Sequence, residues 1–195
     1  MLGGKNPRTL YVRHQLARRT GQAGDAAAAR DQLAALRPVC EEALGPRHPH
    51  TLTVRYELAR WTGDDGDAAG AHDQFTALLP VREEISGPEH PYTLSIRSRL
   101  ISLIGEAGDP AAARDQLAEL LLRYERISGL EHPHSLTARR ELARFTGETG
   151  DPVAAYDQLA ALLPVSERVC GPAHPETLRV RVALARWDAH GAGAN

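Results

Sequence analysis

The chain has 195 residues, a formal charge of −2 and only 5% aromatic side chains. A balance this close to neutral excludes wholesale binding to nucleic acid or to an anionic membrane, both of which need a strongly basic surface. With so few aromatic rings, Leu, Ala, Val and Ile must fill the core.

The opening Gly3-Gly4-Lys5 reads as a frayed lead-in, and residues 1–5 as a flexible end. It lacks the G-x-x-x-x-G-K-[ST] frame of a phosphate-binding loop. From Asn6 onward a fixed interval of 42 residues governs the sequence. His-Pro stands at 48–49, 90–91, 132–133 and 174–175, with Asn6-Pro7 in the same place one interval earlier. Gly-Asp recurs at 24–25, 66–67, 108–109 and 150–151, and Asp-Gln at 31–32, 73–74, 115–116 and 157–158. The units 48–89 and 132–173 agree at 25 of 42 positions without an insertion. A fixed period in this range marks a stacked repeat array. The repeats are 6–47, 48–89, 90–131 and 132–173, followed by a capping half-repeat at 174–190 and a loose tail at 191–195. Residues 6–190 are thus expected to form a single solenoid domain.

The third unit shows the local grammar. His90 precedes Pro91, which fixes φ and lacks an N–H, so Pro91 suits the first position of a helix. Leu94, Leu100, Ile101 and Ile104 then lie at helical spacing, and Gly105 is expected to end this first helix in a left-handed conformation. Asp109 caps a second helix that starts at Pro110. Ala113, Leu117, Leu120 and Leu121, followed by Tyr124 and Ile127, form its buried face, and Gly129 closes it. Each unit is a helical hairpin whose apolar face needs the next hairpin to cover it.

Pro38, Pro80 and Pro164 fall inside the second helices of the other units, where the third has Leu122. Each removes a hydrogen bond and is expected to bend its helix or end its regular part. At the back, Pro175–Trp187 reads as a lone first helix that lids the fourth unit. Cys40 and Cys170 sit roughly three units apart, whereas a disulfide needs Cα atoms within about 7 Å, so two free thiols in a reducing cytosol are expected. No signal-peptide core and no run of 18 apolar residues occurs, which reads as a soluble, cytoplasmic chain. Lys5 is the only lysine, and the arginine, alanine, glycine and proline bias fits a GC-rich genome.

The pattern L-A-x-x-x-G-x-x-G-D-x-x-x-A-x-x-x-L-x-x-L, carried in the fourth unit by Leu142, Ala143, Gly150, Asp151, Ala155, Leu159 and Leu162, resembles the tetratricopeptide repeat. The long period and the His-Pro-x-Thr-Leu opening look like the kinesin-light-chain variant, and like the C-terminal arrays of actinobacterial NB-ARC signalling ATPases. Gly147 and Pro164 depart from the family's usual positions, which bears on helix lengths. The resemblance implies an all-α, right-handed α-solenoid of stacked helix–turn–helix hairpins.

None of the recurrent polar residues assembles into a catalytic centre or a metal site. The His-Pro histidines recur one per layer, and Asn6 takes the same place, so they read as helix caps. His14, His50, His72 and His134 follow no ligand spacing, and neither a metal nor a cofactor is assigned. The Asp31, Asp73, Asp115 and Asp157 ladder reads as structural, because acid–base chemistry needs carboxylates converging in one pocket. Ser86, Ser128 and Ser166 have no nucleophile-elbow context. No enzyme is expected.

In the family that the repeats resemble, ligands lie in the concave groove lined by the first helices. There this sequence offers His14 and Arg18, Tyr56 and Arg60, Ser98 and Ser102, Arg140 and Arg144, and Val182 and Arg186. Residues four apart share a helix face, so the arginines form a stripe, interrupted at the third unit, that suits carboxylates. The opposing reading pairs them with Glu57, Glu106, Glu141 and Glu148. A second set, Arg13, Arg55, Arg97, Arg139 and Arg181, occurs in every unit, and that uniformity points to a structural partner between repeats.

The leading functional reading is a non-catalytic interaction scaffold for a peptide or protein partner, an acidic one among the candidates, as the recognition array of a bacterial regulator. The alternative is a module that self-associates through its end repeats, around Val12 and Leu16.

Overall fold

The computed structural model describes residues 5–191. Among the described residues there are nine helices and no strand: α1 (Pro7–Gln22), α2 (Ala26–Leu44), α3 (Pro49–Asp64), α4 (Ala68–Ser86), α5 (Pro91–Glu106), α6 (Pro110–Ser128), α7 (Pro133–Glu148), α8 (Pro152–Cys170) and α9 (Pro175–Gly191). The fold is all-α, built from the stacked helical hairpins of the solenoid class. The expected flexible ends lie outside the described residues, apart from Lys5, which pairs with Glu42, and Gly191, which closes α9.

Helix starts follow directly from the sequence. Asn6 Oδ1 accepts from the Arg8 amide at 2.9 Å, and Nδ1 of His48, His90, His132 and His174 accepts from the amide two residues on at 3.1–3.3 Å. A neutral ring nitrogen does here what an asparagine oxygen does in the first unit. Asp25, Asp67, Asp109 and Asp151 cap the second helices in the same way.

Two expectations are corrected. Gly105 does not end α5, which runs on to Glu106; the left-handed residue is Gly108, at φ 106°. The helices carrying Pro38, Pro80 and Pro164 do not stop there either. Each spans 19 residues, as does the uninterrupted α6. Buried neighbours on both sides, Leu36 and Cys40 around Pro38, hold the helix through the lost hydrogen bond. The face predicted for α6 is buried from Ala113 to Tyr124, but Ile127 is exposed.

The chain divides into two compact units at Leu100/Ile101. In the first, α1, α2 and α3 close over Leu10, Ala17, Leu33, Leu36, Val54, Leu58 and Trp61. In the second, Leu136, Ala143, Leu159, Leu162 and Val180 pack together, with Leu184 and Trp187 at the margin. Cys40 and Cys170 are both free thiols.

One packing device went unread in the sequence. Trp61 lies over Gly21, Phe145 over Gly105 and Trp187 over Gly147, so a Cβ at these glycines would fall 2.4, 2.1 and 2.5 Å from the ring. Each glycine is a slot for an aromatic ring supplied by the next first helix, 40 residues later. Gly63 differs: a Cβ there meets only the Ala71 methyl, at 3.2 Å. Gly105→Ala should therefore cost about 1–3 kcal/mol through overpacking, despite the better helix propensity of alanine. Gly63→Ala should be close to neutral. Urea unfolding of both variants checks this, and equal midpoints would rule out the slot.

Candidate partner-binding face

The first helices carry every residue expected to line a binding face, and the two units treat them differently. In the first unit, His14 is only 4% exposed. Its ring meets His50 of α3 edge-on, with centroids 5.3 Å apart. Neither His14 nitrogen has a hydrogen-bond partner among the described residues. Burial, with His50 and Arg18 nearby, lowers its pKa to about 4, so the ring is neutral near pH 7. Tyr56 stands edge-on to Phe75 at 5.5 Å. Arg60 lies over the Trp61 ring at 3.9 Å, with Glu57 at 3.5 Å and Asp64 at 3.8 Å. Arg18 is exposed and makes no ion pair among the described residues. Ser98 is half-buried.

In the second unit, Ser102 is half-buried and the arginines are joined into one network. Arg140 bonds Glu141 at 2.7 Å and Glu176, from α9, at 2.8 Å. Arg144 bonds the same Glu141 at 2.9 Å and Glu148 at 3.1 Å, and lies over Phe145. Glu148 also reaches Arg186, and Glu176 reaches Arg179. Burial works to raise the Glu141 carboxyl, but Arg140 and Arg144 hold it below the usual carboxylate range. Four guanidiniums share three carboxylates, so the patch keeps a surplus of one positive charge. Glu57, Glu141 and Glu148 act as the intrachain partners that the sequence offered as the opposing reading. Glu106 is exposed.

Glu176 was missed. Its signal was present, since it stands 36 residues after Arg140, as His50 does after His14. That register brings a first-helix residue against the start of the next first helix.

Three of the five uniform arginines take structural partners, while Arg13 and Arg55 make no ion pair among the described residues. Arg97 bonds Glu83, Arg139 bonds Glu125 and Arg181 bonds Glu167, each at 2.6 Å and each 14 residues back on the preceding second helix. The Asp-Gln pairs do not converge. Gln32 and Gln74 donate to Thr20 and Thr62 of their own hairpins, while Asp31 and Asp115 pair with the adjacent Arg30 and Arg114. Among the described residues, no group of three or more His, Cys, Asp or Glu is placed to hold a metal ion. No described helix is long and apolar enough to cross a membrane.

The family model described as tetratricopeptide repeat matches residues 9–50, 51–92 and 105–134, more than half of the chain. Among solved structures, the chain is similar to a Podosopora anserina protein described as a kinesin light chain of nearly identical TPR-like repeats. That match has 24% identity and a TM-score of 0.69, covering 97% of this chain and 90% of that one. A singly substituted form of the same protein matches at 24% identity and a TM-score of 0.68, covering 95% and 87%. BtubC (BKLC) from P. vanneervenii is more distant, at 12% identity and a TM-score of 0.54, covering 95% and 89%. At these identities the structures support the fold alone. No curated protein matches the sequence significantly.

Proposed function

Because the chain belongs to the tetratricopeptide-repeat family, we propose that it is a non-catalytic scaffold that binds a peptide or protein partner along the first helices of its hairpins. Repeats of this family are interaction modules, and the kinesin-light-chain-like fold agrees with that use. The finer reading places an acidic partner in the concave groove, on His14, Arg18, Tyr56, Arg60, Ser98, Ser102, Arg140, Arg144 and Arg186. The repeats from residue 6 to 190 serve there as one cytoplasmic recognition module of a bacterial regulator, of the kind found in NB-ARC ATPases. Neither nucleic acid nor membrane is a partner in this reading.

The observation that carries it is the network of the second unit, where Arg140, Arg144, Arg179 and Arg186 share Glu141, Glu148 and Glu176. Arg186 is exposed, and its Glu148 is shared with Arg144. A ligand carboxylate that joins such a network gains charge-assisted hydrogen bonds. In the first unit the exposed Arg18 is available for the same purpose.

Short fluorescent peptides, either Glu-rich, neutral or Lys-rich, test this by titration. The Glu-rich peptide should bind best and weaken as salt screens the charges. Arg18→Glu with Arg186→Glu should raise its Kd by about tenfold or more, the equivalent of one good charge-assisted contact. Equal binding of all three peptides would rule out an acidic partner.

Self-association through the end helices is the second reading. The exposed Val12 and Leu16 on α1, and Leu178 and Val182 on α9, favour it. The arginines around both patches oppose it. Sedimentation across a range of concentrations distinguishes the two, with a constant monomer mass excluding self-association.

A further inference from the structure

We propose that the outer face of α1 is a second docking surface, separate from the first-helix groove, that receives an acidic amphipathic helix. On α3, His50, Val54, Leu58 and Trp61 face the preceding hairpin, and the last three belong to the core that α1 and α2 complete. The residues in the same places on α1 are Arg8, Val12, Leu16 and Arg19. All four are exposed, Val12 at 64% and Leu16 at 61%. They recur at helical spacing along one side of α1, with the apolar pair in the middle and an arginine at each end.

The same register identifies the occupant. The surface that covers the equivalent face of α3 is a helical one, with a second helix, α2, making the larger share of it. In three later places, that covering second helix also supplies a glutamate to the recurrent first-helix arginine: Glu83 to Arg97, Glu125 to Arg139 and Glu167 to Arg181. On α1 that arginine is Arg13. The open face therefore continues an interface type already used inside the chain, and asks for a helix with an apolar strip and carboxylates.

Charge excludes the nearest competitor. The α1 sequence carries Arg8, Arg13, Arg18 and Arg19 and no acidic residue. Two copies meeting through this face would bring Arg8, Arg13 and Arg19 of each, six guanidiniums, together. The exposed apolar residues of α9, Leu178 and Val182, are flanked by Arg179, Arg181 and Arg186, each already paired with a glutamate of its own chain. A second copy offering its own α1 would therefore set arginine against arginine, whereas an acidic helix meets a complementary surface. Arg8 and Arg19 are 11 residues apart, which spans about 16 Å along a helix. The partner thus places its carboxylates about three turns apart, with leucine-sized side chains between them.

The probe is a labelled amphipathic helical peptide, stapled to hold its helix, with leucines on one face and glutamates at both ends. A second version has lysine at the glutamate positions. Fluorescence anisotropy with the full chain should show saturable binding of the acidic peptide only. Val12→Glu with Leu16→Glu changes exposed positions and leaves the fold intact, which circular dichroism verifies. It should weaken the acidic peptide at least about tenfold, while Arg186→Glu should leave that binding unchanged. Equal binding of both peptides, no binding of either, or equal binding by the Val12→Glu/Leu16→Glu chain would overturn the proposal. Two further outcomes would also overturn it: a dimer that this variant dissociates, showing that a second copy takes the face, and binding to phosphatidylserine vesicles in place of the peptide. Loss of the acidic peptide with Arg186→Glu alone would assign the binding to the groove.

Discussion

Replacing Glu176 by alanine should destabilise the second unit by about 3 kcal/mol, at the lower end for breaking a buried ion pair. The Glu176 side chain is 8% exposed and that of Arg140 15%, so neither is well hydrated. Removing the carboxylate leaves the guanidinium buried and short of one partner, and the desolvation already incurred is no longer offset. Glu141 still contacts Arg140, which keeps the cost from the top of the range. Glu176→Gln should lose less, because the amide oxygen still accepts the hydrogen bond. Arg140→Leu combined with Glu176→Leu should regain most of the stability, since two apolar groups replace a desolvated pair. Urea denaturation of these three variants beside the wild type checks this. A Glu176→Ala cost below about 0.5 kcal/mol, the size expected of a solvated pair, would contradict it.

The second large effect is acid instability of the first unit. His14 has a pKa lowered from 6.5 to about 4 in the folded chain, by burial first and then by His50 and Arg18. The unfolded chain binds this proton at about pH 6.5 and the folded chain does not, so stability rises with pH across the interval. The contribution is fully present above pH 6.5 and is lost as pH falls toward 4. At about 1.4 kcal/mol per unit, it amounts to roughly 3 kcal/mol. His50 and His134 are shifted the same way by burial and steepen the loss. His14→Leu keeps a buried side chain of similar size without a titrating group. Urea midpoints from pH 7 to pH 4 should fall further in the wild type than in this variant, and parallel curves would contradict the assignment.

Fold and site were legible to different depths. The 42-residue period, the His-Pro and Asp caps and the Gly-Asp turns stand in the sequence as residue types, because capping and left-handed turns are local requirements. What failed was what depends on a neighbour far along the chain. Gly105 looks like a helix terminator until Phe145 is seen above it. Pro38, Pro80 and Pro164 look like helix breakers until packing on both sides holds the helices through them. The arginines of the groove positions were legible as a stripe, but their partners were not all so. Glu141 and Glu148 sit on the same helix at visible spacings, whereas Glu176 arrives from the next first helix. For Arg97, Arg139 and Arg181 the structural reading is correct, because repetition itself argues for a partner that also repeats, whereas Arg13 and Arg55 have no such partner among the described residues.

The central claim is that the first-helix arginines recognise a partner beyond their duties inside the fold. Capturing proteins from a cell extract with the wild-type chain, beside its Arg18→Glu/Arg186→Glu variant, tests it most directly. These two positions are the most exposed of the stripe, so the charge swap leaves the more buried Arg140 and Arg144 in place. The wild type should hold a partner that the variant loses, with an acidic segment as the part retained after limited proteolysis. A partner retained equally by both chains would contradict it and place recognition on another surface.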